Sequence, residues 1–177
     1  MTYVFSRDPR VLAIDPAVRG FGFALLEGAD YLVDWGVKGA RAKTQVETLQ
    51  AIRDLVTHYE PDVLVLEDHQ SSRRGRRVKA LIEAIEKLAT RNGVRCRRFS
   101  RQVVRRTFST HDARTKHQIA LNLALRFPEL TPWVPPFRKP WMSEDRRSRI
   151  FGALALAVTF FDRQHQRITG RPGREAA

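Results

Sequence analysis

Val11 to Ile14 is an unbroken apolar run that stops at Asp15. Pro16 has no N–H to give a ladder, so the pattern predicts a short strand that turns there. Gly20 and Gly22 lead into a second strand over Phe21–Leu26, and Gly28-Ala29-Asp30 reads as a turn before a third over Tyr31–Val37. Short connections of this kind predict an antiparallel meander. From Thr44 to Tyr59 the apolar residues Val46, Leu49, Ile52, Leu55 and Val56 recur at helical spacing, with Pro61 beyond the end. Asp62–Leu66 is then almost wholly apolar, as expected of a strand buried on both faces in a parallel region, and it ends at Glu67-Asp68.

The second half is mostly helical in pattern. Val78–Arg91 places Leu81, Ile82, Ile85 and Leu88 on one face, and Asn92-Gly93 stops it. Val94–Phe99 alternates like a fifth strand, Arg101–Phe108 suits a short helix, and Thr115–Phe127 a longer one. Thr131–Trp141 holds four prolines and reads as loop. Its Trp133, Phe137 and Trp141 are expected to cover the core, with stacking on exposed bases as the alternative. Ser143 is a suitable N-cap, with Glu144 and Asp145 in the first turn of a last helix that runs through a buried stretch to Phe161. The order predicts one domain over residues 1–168, a mixed α/β sheet flanked by helices, with a frayed tail over 169–177.

Composition changes this picture in one respect. The chain of 177 residues has a net charge of +13. Between Ser71 and Arg106 stand 13 Lys/Arg and 2 Asp/Glu, so nearly all the excess lies in one segment. Such a segment favours polyanions, nucleic acid first and an acidic membrane surface second. One cysteine, Cys96, excludes an intrachain disulfide and a cysteine-built zinc site. That fits a reducing cytoplasm. No apolar run reaches the ~20 residues of a membrane span.

Asp15 and Glu67 each close a buried apolar run. If their strands are neighbours, both carboxylates leave the same sheet edge. Hard divalent cations such as Mg²⁺ take carboxylate oxygen and often rest on substrate phosphates as well. Two such ions can clamp a phosphodiester displacement. Taken singly, each acid reads equally well as a turn or strand-end acid.

Val11-Leu12-Ala13-Ile14-Asp15-Pro16, followed by Arg19-Gly20-Phe21-Gly22-Phe23-Ala24, resembles the opening of RuvC-type Holliday junction resolvases. Val63-Leu64-Val65-Leu66-Glu67 is similar to the strand that delivers that family's catalytic Glu. Thr115-Lys116-His117-Gln118-Ile119 resembles its stretch with a Lys before Gln, and Ala153-Leu154-Ala155-Leu156-Ala157 its last helix. The resemblance implies a ribonuclease H-like fold with a mixed five-stranded sheet, and a homodimer that nicks four-way DNA. It implies Asp15, Glu67 and a helix acid holding Mg²⁺ or Mn²⁺, and Lys116 assisting at the phosphate. Ala17 and the shorter turn after it depart from the pattern. So does the last helix, where Gly152 and, one turn earlier, Arg149 stand in place of acids. Asp145 shares their helical face but is displaced roughly 10 Å along the axis, so it would complete the cluster only if the helix is shifted toward the sheet edge; the alternative is that Glu144 and Asp145 merely favour the helix N-terminus.

Arg73, Arg74, Arg76, Arg77 and Lys79 follow Glu67 closely and are placed to hold phosphates. Three readings follow. The first is a metal-dependent, structure-selective DNA endonuclease. The second is a weakened relative that binds branched or single-stranded nucleic acid without cutting, which Gly152 favours. The third is another ribonuclease H-like nuclease, acting on RNA–DNA hybrids or in a mobile element.

Overall fold

A computed structural model describes residues 8–39, 44–68, 75–111, 113–139 and 141–169. Five strands form one sheet: β1 (Arg10–Pro16), β2 (Phe21–Glu27), β3 (Tyr31–Lys38), β4 (Val63–Glu67) and β5 (Arg95–Phe99), in the spatial order β3-β2-β1-β4-β5. The first three are an antiparallel meander, and β4 and β5 join in parallel. Among the described residues five α-helices accompany them: α1 (Gln45–Tyr59), α2 (Arg76–Arg91), α3 (Arg101–Ser109), α4 (Lys116–Arg126) and α5 (Ser148–Ile168). The mixed five-stranded sheet expected from the sequence is present. β1 runs one residue past Asp15, because Pro16 still pairs with Phe21 before the turn closes from Ala17 N–H to Gly20 O at 3.0 Å.

The sheet's two faces build two cores. Leu12, Ile14, Leu64 and Leu66, with Phe21, Phe23 and Leu25, pack on α1 and α2. Val11, Ala13, Val63 and Val65, with Ala24 and Leu26, pack on α4 and α5. Alternation along a strand assigns each residue to its face. Asp15 and Glu67 continue the second set, so they belong to the face that α5 covers.

Helix ends follow local chemistry. Thr44 caps α1 by accepting the Glu47 N–H, and Glu60 ends it in the left-handed region at φ 47°. Thr115 and Gln118 form a reciprocal capping box at the start of α4. The last helix departs from expectation. It begins at Ser148 rather than just after Ser143. Asp145 instead builds a turn in front of it: its carboxylate accepts the Arg147 N–H at 2.8 Å, and its carbonyl accepts the Ser148 hydroxyl at 2.6 Å. The proline-rich stretch also opens on order, since Pro128–Trp133 is a 3-10 turn. Helix α5 itself is buried almost continuously from Ile150 to Phe161, as its apolar run implied.

Leu154 lies fully buried on α5 against the sheet. Leu154→Ala is expected to cost about 2–5 kcal/mol of unfolding free energy, measured by urea denaturation. A loss below about 1 kcal/mol would contradict the central packing of α5.

Candidate active site at the acidic edge

Asp15 is paired with Gly22 across β1 and β2. The β1–β4 register sets Val11 on Val63, Leu12 on Leu64 and Ala13 on Val65. Carried two residues further, it brings Asp15 beside Glu67. Glu67 in turn pairs with Phe99 on β5. Gly22, Asp15, Glu67 and Phe99 therefore form one row across four strands, on the α5 side of the sheet.

The first turn of α5 crosses this row at very close range. A Cβ on Gly22 would overlap the Arg149 carbonyl group. A Cβ on Gly152 would stand 2.5 Å from Asp15 Oδ2 and 3.1 Å from its Cγ. Gly152 thus faces Asp15 directly, and any side chain there must push the carboxylate aside. Arg149 lies one turn earlier on the same helix face. Its Nε and Nη1 are enclosed and have no hydrogen-bond partner among the described residues.

Glu67 is 5% exposed and accepts a hydrogen bond from Arg101 Nε on Oε1 at 2.8 Å. Arg101 opens α3, whose Ser100 N-cap accepts the Val103 N–H. The parallel pairing of β4 with β5 delivers it: where β5 ends at Phe99, the next turn rises beside Glu67. Arg101 lies inside the basic segment, but only the strand order singles it out.

The other expected residues are placed differently. Lys116 is the first residue of α4, is exposed, and forms an ion pair with Glu144. Burial opposes the charge on Glu144, but Lys116, the Ser148 hydroxyl and the nearby Arg149 charge outweigh it and hold the carboxyl below its ordinary value. Asp145 is committed to Arg147, which holds its carboxyl low. Among the described residues no group of three His, Cys, Asp or Glu is placed to hold a metal ion, so Asp145 does not join Asp15 and Glu67. Arg76 and Arg77 are exposed and Lys79 is half-buried, all in the first turn of α2. Arg73 and Arg74 lie outside the described residues. Burial pushes the half-buried Cys96 thiol up to about 12.

The donor set fits one hydrated Mg²⁺-type ion, because two hard carboxylates in one row suffice when substrate phosphates and water complete the shell. It does not fit a pair of ions. Gly152 offers no ligand, and Arg149, one turn earlier on the same helix face, is a cation and not a carboxylate.

No family model matches the chain, and no curated protein matches it. Solved structures do share its fold. RuvC of Thermus thermophilus superposes with a TM-score of 0.62 at 18% identity, covering 88% of this chain and 96% of that one. The T. thermophilus RuvC in complex with a Holliday junction substrate gives 0.62 at 16%, covering 90% and 96%. The Fowlpox virus resolvase in complex with Holliday junction DNA gives 0.57 at 14%, covering 86% and 99%. The chain has the fold of these ribonuclease H-like resolvases. Among the described residues no helix is long and apolar enough to cross a membrane.

Gly152→Ala and Gly22→Ala should each destabilise the protein by about 1–3 kcal/mol through overpacking, read by urea denaturation. Wild-type stability in both would contradict the close approach. The turn before α5 should also loosen in acid. Glu144 and Asp145 have folded values below their unfolded ones, so their contribution is complete above the unfolded values and is lost as pH falls through the folded ones. Faster opening of the Arg147 and Ser148 amides, after correction for intrinsic exchange, is expected as pH drops below about 4. A pH-independent opening would contradict it.

Proposed function

We propose that this protein is a structure-selective endonuclease of branched DNA, with Asp15 and Glu67 as its working carboxylates. The observation that carries the reading is the row that sets these two acids side by side under α5, in a fold shared with resolvases solved on Holliday junction DNA. Asp15 and Glu67 would hold one Mg²⁺ (or Mn²⁺), whose chemistry is to polarise phosphoryl oxygen and lower the pKa of a bound water. Lys116, exposed at the start of α4, supplies charge to the phosphate when Glu144 releases it. Arg101 steadies Glu67 and adds a further cation at the edge. Arg73, Arg74, Arg76, Arg77 and Lys79 hold the DNA backbone without reading its sequence. Hydrolysis leaves 5′-phosphate and 3′-hydroxyl ends.

A second reading is binding without cutting. Two observations favour it: Gly152 in contact with Asp15, and the ion pair of Glu67 with Arg101.

Labelled four-way junctions, linear duplex and RNA–DNA hybrid, each with Mg²⁺ or Mn²⁺, separate the readings. Nicking of the junction is expected, abolished by Asp15→Asn and slowed about 100-fold by Lys116→Ala. Tight binding with no cleavage in either metal supports the second reading and contradicts the first. Cleavage of the hybrid alone contradicts both.

A further inference from the structure

Phe137 and Trp141 are 71% and 78% exposed, and Trp133, earlier in the same stretch, is 42% exposed. The expectation that these rings cover the core is not met. Val134 and buried Pro135 reach the core instead and anchor the loop, leaving the rings outside.

The loop that holds them is braced. The Met142 N–H donates to the Lys139 carbonyl at 3.0 Å, and Arg138 Nε donates to the Met142 carbonyl at 2.5 Å. Phe137 sets its ring edge against His117 on α4, with centroids 5.7 Å apart at 86°. Lys139 Nζ stands 5.4 Å from the Trp141 ring centre. Between Thr131 and Ser143 the chain has basic residues and no acidic one. The loop runs directly into Glu144, which pairs with Lys116 and feels the charge of Arg149. It therefore leads into the turn that precedes α5, the helix that covers the acidic edge.

Flat apolar rings interleaved with cations suit a partner that offers both π-faces and phosphates. A second copy of this chain, itself at net +13, is a poor match for a positively charged face. We propose that Phe137 and Trp141 form a stacking platform for unpaired bases at a DNA branch point, with Arg138 and Lys139 on the flanking phosphates. The proposal rests on the branched-DNA reading above. It adds recognition of splayed bases, which phosphate contacts alone cannot provide.

The test uses a four-way junction carrying 2-aminopurine beside the crossover, and a linear duplex carrying the same label. Both are titrated by anisotropy and 2-aminopurine emission, without divalent cation so that no strand is cut. Trp141→Ala and Phe137→Ala are each expected to weaken junction binding at least ~5-fold. They should abolish the change in 2-aminopurine emission and leave duplex affinity and the melting temperature unchanged. Trp141→Phe should restore most of the affinity. Unchanged junction affinity in the alanine variants overturns the platform, as does an equal loss on duplex. A dimer that falls apart in the double variant with junction affinity intact assigns the face to a second copy and also overturns it. If the wild type itself does not prefer junction to duplex, the branched-DNA reading fails and takes the platform with it. Wild-type preference with unaffected variants defeats the platform alone.

Discussion

Gly22 on β2 and Gly152 on α5 let the first turn of a 21-residue helix rest on the sheet beside Asp15. A methyl group at either position would meet backbone or carboxylate at a distance that real contacts do not reach. This approach brings the Arg149 backbone over Gly22 and sets Gly152 on Asp15. It also fixes where the turn of Glu144 and Asp145 must lie, and through Glu144 where Lys116 is held. The acidic edge is thus closed on one side by a helix that offers it no carboxylate.

That closure has an electrostatic consequence. Two carboxylates in one row repel each other unless cations stand near. Arg101 supplies one at Glu67, and Arg149 brings a guanidinium onto the same helix face as Gly152. Enclosed guanidinium nitrogens with no acceptor among the described residues are costly. On the proposed function, the balance between cutting and holding turns on how firmly Arg101 competes for Glu67.

Much of this was legible in the sequence. The unbroken run Val63–Leu66, bounded by Pro61 and Glu67, suggested a strand covered on both faces, and the glycine-rich return after Asp15 suggested an antiparallel neighbour. They put Asp15 and Glu67 at strand ends, but only the parallel pairing of β1 with β4 brings the two acids together. The start of α5 was not legible, because Ser143, Glu144 and Asp145 have the chemistry of a helix N-terminus. Asp145 spends that chemistry on the Arg147 N–H and side chain two residues on, and the helix starts after it. Arg101 was hidden because its contact with Glu67 spans 34 residues and depends on strand order. The aromatic loop misled for a different reason. Aromatic residues near prolines look like core cover, but Phe127 and Leu130 already close that end of the core.

On the proposed function, Asp15 and Glu67 together hold one divalent cation at an edge that α5 leaves without further ligands. Titration of the protein with Mn²⁺, followed by electron paramagnetic resonance, measures this without any DNA. One bound ion per chain is expected, lost in Asp15→Asn. Two ions per chain, or none, would contradict it.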